Sequence, residues 1–221
     1  MNRNNATTPE IVYRGFALGP FETNCYVVRT AGSTGCWIVD AGFEPGELLG
    51  YVRQEGLTPE ALVLTHAHAD HMAGVREAVE AFPGMPVWIH EAEGAWLGDP
   101  QLNLSAAMGM GITAPGPDRL LEDNQELTLD GSRWRVLHTP GHSPGGITLY
   151  CESAGLALVG DALFAGSIGR TDFPGCSFER LETSIRERLY PLPDATRCLP
   201  GHGPETTIGR EKASNPFVRP G

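Results

Sequence analysis

The sequence lacks long apolar runs and an excess of positive charge, and each absence excludes a class of protein. None of its apolar runs approaches the roughly 18 residues of a membrane span, and the polar N-terminus lacks the pattern of a secretory leader. With 16 basic and 27 acidic residues the net charge is −11, which repels nucleic-acid phosphates and anionic lipids. We therefore expect a soluble, cytoplasmic protein without nucleic-acid or membrane partners.

Cysteine is also scarce, and its spacing disfavours two kinds of site. The five cysteines are odd in number, widely scattered and contain no Cys-x-x-Cys pair. Such spacing favours neither a disulfide framework nor a zinc site built from thiolates. We expect the cysteines to be buried, reduced thiols.

Composition predicts one globular domain that is rich in turns. Hydrophobic residues make up 41% of the 221 residues, enough for a core, and 28 glycines with 18 prolines favour many loops over long helical bundles. No repeat or linker divides the chain. We expect a disordered N-terminal tail over residues 1–9 and a single domain over residues 10–221.

Short apolar runs that end in glycine, proline or aspartate predict β-strands. These runs are residues 24–29, 36–39, 61–64, 87–89, 134–137, 147–150, 156–160 and 197–199. Apolar stripes with helical spacing predict two core-facing helices. They are Met72, Val75, Val79 and Phe82, and Phe178, Leu181, Ile185 and Leu189. The irregular stretch 94–117 is interpreted as a long surface loop, either a lid or a plain connection.

The strongest chemical signal is a cluster of histidines that follows the run 61–64. His66, His68, Asp70 and His71 fall within six residues, a density that core packing does not explain. Alternate residues of an extended chain point the same way, so His66 and His68 face one side while Asp70 and His71 serve a neighbouring position. Imidazole nitrogens and carboxylate oxygens are ligands for zinc, iron and manganese. The window therefore predicts a metal site.

Three further candidate ligands follow predicted strands. His142 lies in Thr-Pro-Gly-His-Ser-Pro-Gly-Gly, His202 lies in Pro-Gly-His-Gly, and Asp161 directly follows the run 156–160. Glycine and proline hold the backbone open around both histidines, which leaves the rings free to point into a site. The seven candidates are enough for two metal ions that share one carboxylate: His66, His68, Asp70, His71, His142, Asp161 and His202.

This ordered set of motifs resembles the metallo-β-lactamase superfamily from about Phe21 to His202. The segments Gly-Asp-Ala-Leu-Phe at 160–164 and Gly-Arg-Thr-Asp-Phe-Pro-Gly at 169–175 make the likeness closest to glyoxalase II, hydroxyacylglutathione hydrolase, and to its short bacterial-type members. The chain ends 19 residues after His202, whereas full-length glyoxalase II carries a further helical domain. The resemblance implies an α/β fold of four layers, an αβ/βα sandwich.

The resemblance also implies two divalent metal ions, zinc first, with iron and manganese as alternatives. It assigns the ligands as His66, His68 and His142 to the first ion, Asp70, His71 and His202 to the second, and Asp161 to both. Asp40 matches an aspartate that supports the metal loop from outside; the alternative is a turn residue. The implied activity is hydrolysis of S-lactoylglutathione or a related acyl-thiol by a metal-bridging hydroxide, with Asp70 and Asp161 as catalytic residues.

One basic residue is the candidate for substrate binding. Arg170 stands where glyoxalase II has a lysine that contacts the glutathione carboxylate, and a guanidinium suits that anion. Asp172 departs from the family, which has a tyrosine there. We expect Arg170 to bind a carboxylate of the substrate, and the alternative is a salt bridge with Asp172 or Glu179.

Other functions stay open beside thioester hydrolysis. Persulfide dioxygenases share the histidine window and a Gly-Arg-Thr-Asp-Phe segment but hold one iron, here through His66, His142 and Asp161. A non-catalytic metal-binding protein is the third class. The β-lactamases of the superfamily usually have cysteine or serine in place of Asp161, and its nucleases are disfavoured by the negative charge. His90 and His138 match no ligand position, and we expect them to be structural.

Overall fold

The computed structural model describes residues 9–220, so the tail predicted for residues 1–9 lies outside the described residues except for Pro9. Fourteen strands form within the described range: β1 Ile11–Leu18, β2 Thr23–Thr30, β3 Gly35–Val39, β4 Thr58–Val63, β5 Val87–His90, β6 Arg119–Leu121, β7 Glu126–Leu129, β8 Ser132–His138, β9 Ile147–Cys151, β10 Leu156–Gly160, β11 Leu163–Phe164, β12 Ser167–Ile168, β13 Arg197–Pro200 and β14 Thr206–Thr207. The α-helices of the same range are α1 Gly46–Gln54, α2 Ala69–Met72, α3 Val75–Ala81, α4 Phe178–Ser184 and α5 Ile208–Ser214.

The strands form two six-stranded sheets and a small hairpin of β11 and β12. The first sheet has the order β1-β2-β3-β4-β5-β6 and the second has the order β14-β13-β10-β9-β8-β7. Strands β3 to β6 run parallel, and so do β10 and β13. β8 also runs parallel to β10, because both are antiparallel to β9 between them. The carboxyl ends of these parallel strands therefore share one edge of each sheet.

Three apolar clusters separate four layers. Along β3 the side chains alternate, so that Ile38 packs with α1 and α3 while Trp37 and Val39 face the second sheet. The middle cluster joins the sheets, and the rings of Trp37 and Trp134 lie 5.7 Å apart within it. The third cluster packs α4 and α5 on the outer face of the second sheet. The predicted four-layer αβ/βα sandwich is confirmed.

The predicted strands are all present, with ends that differ by at most three residues. The first helix prediction needs correction, because the stripe from Met72 to Phe82 is divided between α2 and α3. The break contains Gly74, where a Cβ would lie 2.5 Å from the carbonyl oxygen of Gly42, so this close approach admits no side chain. The second stripe loses its first member, since Phe178 is 38% exposed whereas the rest of that stripe is buried.

The stretch 94–117 is a surface loop as expected, since most of its residues are exposed or partly exposed, but a few of its side chains anchor it to the core. It begins within a 3₁₀ helix, Glu91–Gly98, and contains a second one, Ala106–Met108. Leu97, Asn103 and Ser105 are fully buried. The Asn103 side chain donates to the carbonyls of Trp96 and Ile112, so a polar side chain satisfies the backbone from inside the loop.

Two predictions from composition can be compared with the fold. Within residues 9–220 no helix has both the length and the apolar character that a membrane crossing needs. All five cysteines are free thiols, and four of them are buried while Cys176 is partly buried.

Candidate metal centre

The seven candidate ligands lie where the carboxyl ends of the parallel strands meet. The histidine window follows β4 and runs into α2, and His142 lies in the loop after β8. Asp161 directly follows β10, and His202 follows β13. The fold thereby brings together residues as far apart in sequence as Asp70 and His202, whose side chains are 3.1 Å apart.

Three histidines form the first cluster. Ring nitrogens of His66, His68 and His142 all lie within 4.8 Å of one another, and the three side chains are buried. Nδ1 of His68 is 2.9 Å from Nε2 of His142. Three imidazoles at this spacing can hold a divalent ion and leave one position open, as a hydrolytic metal site requires.

Asp70, His71 and His202 form the second cluster, and their ligand atoms also lie within 4.8 Å of one another. Oδ2 of Asp70 is 3.1 Å from Nε2 of His202 and 3.5 Å from Nε2 of His71. The hydroxyl of Thr23 donates to the same oxygen at 3.1 Å. Two imidazoles and a carboxylate can hold a second ion.

Asp161 lies between the two clusters. Its Oδ2 is 3.5 Å from Nε2 of His142 in the first cluster and 3.5 Å from Nε2 of His202 in the second. Its Oδ1 is 3.3 Å from Nε2 of His71. One carboxylate thus faces histidines of both clusters, which is the geometry expected of a ligand that two ions share.

Hydrogen bonds on the outer side of three rings aim their Nε2 atoms at the centre. Each ring donates its Nδ1 proton to an oxygen: His71 to the Asp40 carboxylate at 2.8 Å, His142 to the Arg170 carbonyl at 2.8 Å, and His202 to the Phe21 carbonyl at 3.1 Å. The proton is held on Nδ1, so the Nε2 lone pair is free to bind a metal ion.

Three buried polar atoms at the centre have no hydrogen-bond partner among the described residues. They are Nε2 of His66, Nε2 of His71 and Oδ1 of Asp161. A buried polar atom without a partner costs about 1–3 kcal/mol, and metal ions placed among these three atoms would satisfy them. The residues present therefore fit a centre of two divalent ions.

The pKa values in the clusters favour the same conclusion. Burial lowers the pKa of His66 well below its ordinary value and that of His68 to about 3, so both rings are neutral at pH 7 and can act as ligands. Burial opposes charge on His71, yet the carboxylates of Asp161 and Asp70 outweigh it and raise the pKa of that ring. The carboxylates therefore favour positive charge at the centre, which bound metal ions would supply.

Asp40 supports the histidine window. Its carboxylate accepts hydrogen bonds from the backbone N–H of Thr65 at 2.7 Å, from the Thr65 hydroxyl at 2.8 Å and from Nδ1 of His71. Asp40 is buried, and its φ of 61° lies in the left-handed region that most residues avoid. These contacts match the supporting role that the resemblance implies for Asp40.

Gly201 provides the space that Asp161 occupies. A Cβ at this position would lie 2.1 Å from Oδ1 of Asp161 and 2.6 Å from Cε1 of His71. No side chain fits there without displacing a candidate ligand. The glycine of the Pro-Gly-His-Gly motif therefore matters for packing at the centre as well as for backbone freedom.

Arg170 lies beside the centre but is not a free cation. Its guanidinium donates two hydrogen bonds to the Asp172 carboxylate, at 2.9 and 2.7 Å, and both side chains are 66% exposed. It also lies over the ring of Phe173, 4.3 Å from the centroid. The salt bridge considered as the alternative for Arg170 is present, so a substrate carboxylate would have to compete with Asp172.

His90 and His138 are in neither metal cluster, in agreement with their expected structural role. Their rings stack with centroids 4.1 Å apart and planes 12° apart. Burial, with repulsion from His138, lowers the pKa of His90 to about 4. The ring of His90 is therefore neutral near pH 7 and packs against the ring of His138.

Sequence reasoning missed the polar residues that hold the ligands from outside. Thr23 and Thr65 bond to Asp70 and Asp40, and a fully buried carboxylate, Glu93, accepts from backbone N–H groups of two ligand loops. No motif marks these residues. Glu93 shares one signal with Asp40, since each is an acidic residue shortly after a parallel strand of the first sheet.

Comparison with known proteins gives a consistent set of relatives. The profile of the Metallo-beta-lactamase superfamily matches residues 18–202. The chain is 42% identical over 207 residues to the probable metallo-hydrolase YqgX of Bacillus subtilis, covering 93% of this chain and 97% of that protein. It is 37% identical over 200 residues to the hydroxyacylglutathione hydrolase GloC of Haemophilus influenzae, covering 90% and 93%.

Solved structures are similar over nearly the whole chain. The BLEG-1 B3 metallo-β-lactamase is 41% identical with a TM-score of 0.89, and the match covers 94% of this chain and 99% of that one. TTHA1623, in a di-iron-bound form, is 40% identical with a TM-score of 0.82, and the match covers 93% and 100%.

Proposed function

Because the chain belongs to the metallo-β-lactamase superfamily, we propose that it is a glyoxalase II-like thioester hydrolase with two divalent metal ions. The observation that carries the proposal is the position of the Asp161 carboxylate, within 3.5 Å of histidines in both ligand clusters. In this proposal the first ion is held by His66, His68 and His142, the second by Asp70, His71 and His202, and both by Asp161. Zinc is the first choice of metal, and the di-iron form of TTHA1623 makes iron the main alternative.

The chain's own residues orient the reactants in this proposal. Two bound divalent ions would supply hydroxide at neutral pH and polarise the carbonyl under attack. Asp70 is the more accessible of the two carboxylates, with 19% of its side chain exposed against 8% for Asp161. Asp70 therefore accepts a hydrogen bond from the attacking water and orients it toward the substrate. The leaving thiol has a pKa near 8.5, so it departs as a thiolate and needs no proton donor.

The substrate we propose is S-lactoylglutathione or a related acyl-thiol with a carboxylate. Support comes from the name of the Haemophilus influenzae relative and from Arg170, whose backbone is fixed to His142 at the centre. In this proposal Arg170 exchanges its contact with Asp172 for the carboxylate of the substrate. Trp96 and Phe173 flank His68, with ring centroids 6.0 and 5.7 Å away, and form an apolar wall beside the first cluster.

Hydrolysis of β-lactams is a second candidate. It is favoured by the 41% identity and the TM-score of 0.89 to the BLEG-1 B3 metallo-β-lactamase. A β-lactam and a thioester both present a carbonyl to an attacking hydroxide, so the same ligand geometry serves both reactions. The leaving amide nitrogen of a β-lactam needs a proton, whereas a thiolate does not.

One substrate panel tests these functions. Metal-loaded protein is assayed with S-lactoylglutathione, a neutral thioester, a β-lactam and glutathione persulfide under oxygen, and metal content is measured on the same sample. We expect two metal ions per chain and fastest hydrolysis of the anionic thioester, with Asp161→Ala as the inactive control. A preferred β-lactam would favour the second candidate, oxygen uptake with one iron would favour a persulfide dioxygenase, and inactivity on all four would favour a non-catalytic metal-binding protein.

A further inference from the structure

We propose that Glu93 is a positioning residue for the first metal site, because it joins the two loops that carry all three of its histidines. This inference rests on the proposed two-ion centre and does not depend on the substrate. Glu93 is not a ligand in either cluster, and no motif of the sequence includes it. Its role follows from what its two carboxylate oxygens contact.

Each oxygen of Glu93 accepts a hydrogen bond from a different ligand loop. Oε2 accepts from the backbone N–H of Ala67, and Oε1 accepts from the backbone N–H of Gly145, both at 2.6 Å. Ala67 lies between the ligands His66 and His68, and Gly145 lies three residues after His142. The carboxylate is therefore the direct link between the loop after β4 and the loop after β8.

Burial and packing fix this link in one geometry. Glu93 is 0% exposed, and a buried carboxylate is costly unless hydrogen bonds satisfy it, so both N–H contacts are strongly favoured. A Cβ at Gly145 would lie 2.8 Å from Cγ of Glu93, so the loop approaches the side chain as closely as glycine allows. Across this link the ring nitrogens of His68 and His142 lie 2.9 Å apart.

Glu93 and Asp40 hold different parts of the ligand loops. The hydrogen bonds of Glu93 end on Ala67, between two ligands of the first cluster, and on Gly145, near the third, whereas Asp40 bonds the ring of His71 in the second cluster and also Thr65 beside His66. Loss of Glu93 should therefore weaken the first ion before the second. Removal of such supporting hydrogen bonds typically costs about 10–100-fold in metal affinity.

The test replaces Glu93 by glutamine in the full chain and measures metal binding. Glutamine keeps the volume of the side chain, but its NH₂ group meets one of the two backbone N–H donors and breaks that half of the link. The wild type should bind two cobalt(II) ions. In Glu93→Gln we expect one of the two ions to bind about 10–100-fold more weakly. The proton NMR signals of cobalt-bound imidazoles should weaken for the three histidines of the first cluster and persist for His71 and His202.

Two further variants keep the test decisive. Gly145→Ala displaces Glu93 from the opposite side and should also weaken binding of the first ion only. It tests the proposal even if Glu93→Gln does not fold. Glu211 is an equally buried glutamate that accepts from Gly166 N–H and the Asn215 amide at 2.9 Å, and it contacts neither ligand loop. Glu211→Gln should lower the thermal midpoint while cobalt binding and its NMR signals stay as in the wild type.

Either of two results would overturn the role of Glu93. One is wild-type cobalt affinity and spectrum in folded Glu93→Gln and Gly145→Ala. The other is an equal loss of both ions in Glu93→Gln and Glu211→Gln, which would make Glu93 an ordinary core residue. A wild type that binds two cobalt ions but cleaves no thioester would refute the proposed function and leave this inference standing.

Discussion

Replacing Asp40 by asparagine should weaken metal binding more than replacing it by alanine. The alanine variant should instead lose more of the free energy of unfolding. Oδ1 of Asp40 accepts from the backbone N–H of Thr65 at 2.7 Å, and Oδ2 accepts the Nδ1 proton of His71 at 2.8 Å. Asparagine must keep its oxygen toward Thr65, so its NH₂ group faces His71. The ring then accepts at Nδ1 and carries its proton on Nε2, where it cannot bind a metal ion. Alanine imposes no such tautomer.

The backbone at position 40 reverses the order for stability. Its φ of 61° costs alanine about 1–2 kcal/mol, whereas asparagine tolerates this region. Alanine also leaves the buried N–H of Thr65 without its acceptor, at a further cost of about 1–3 kcal/mol. Metal-free Asp40→Ala should therefore be about 2–5 kcal/mol less stable than the wild type, and Asp40→Asn should lie between them.

Chemical denaturation of the metal-free variants measures the stabilities, and zinc titration measures the second site. We expect Asp40→Asn to lose about 100-fold in affinity at that site and Asp40→Ala to lose less. Asp130 is a matched control because it has a φ of 41°, is exposed, and lies by Gly35 at the opposite end of β3. Asp130→Ala should be less stable than Asp130→Asn, and neither variant should change zinc binding. If Asp40→Ala binds the second ion no better than Asp40→Asn, the tautomer argument is wrong.

Three further predictions concern the centre and its surroundings. Asp161→Ala should lose its metal, its activity and the thermal stability that the metal confers, whereas His90→Ala should keep metal and activity. Wild-type metal content in Asp161→Ala, measured by elemental analysis, would contradict the ligand assignment. Gly201→Ala puts a methyl group 2.1 Å from Oδ1 of Asp161, so the same analysis should find fewer than two ions. In steady-state kinetics Arg170→Ala should raise KM for anionic thioesters a few-fold and Asp172→Ala should lower it, and equal effects on neutral thioesters would make Arg170 structural.

The ligand clusters could be predicted from the sequence because their members lie in short segments with unusual chemistry. Four candidate ligands within the window 66–71 cannot be explained by packing, and the glycines and prolines around His142 and His202 mark open loops. Apolar runs predicted eight strands for the same reason, since local alternation and chain breaks determine them. Other elements were missed: β1, β6, β7, β11, β12, β14, α1 and α5. In β1 and α1, charged and small residues interrupt the pattern.

Packing between distant segments could not be predicted in this way. The split between α2 and α3 depends on the approach of Gly74 to Gly42. The anchoring of the surface loop 94–117 depends on Asn103, whose amide satisfies carbonyls seven and nine residues away. For Arg170 the sequence left two alternatives, a substrate carboxylate or a salt bridge within its loop, and it could not decide between them. Each case depends on which surfaces meet in three dimensions, and a linear pattern does not contain that information.

The strand order explains why a buried carboxylate lies on each side of the histidine window. In the first sheet β4 lies between β3 and β5, and all three run parallel, so the residues after them lie side by side at one edge. Asp40 follows β3, the histidine window follows β4 and Glu93 follows β5. The window therefore has one buried carboxylate on each side. Asp40 reaches His71, while Glu93 reaches Ala67 and continues to the loop of His142. The order of the strands therefore determines which part of the ligand loops each carboxylate can reach.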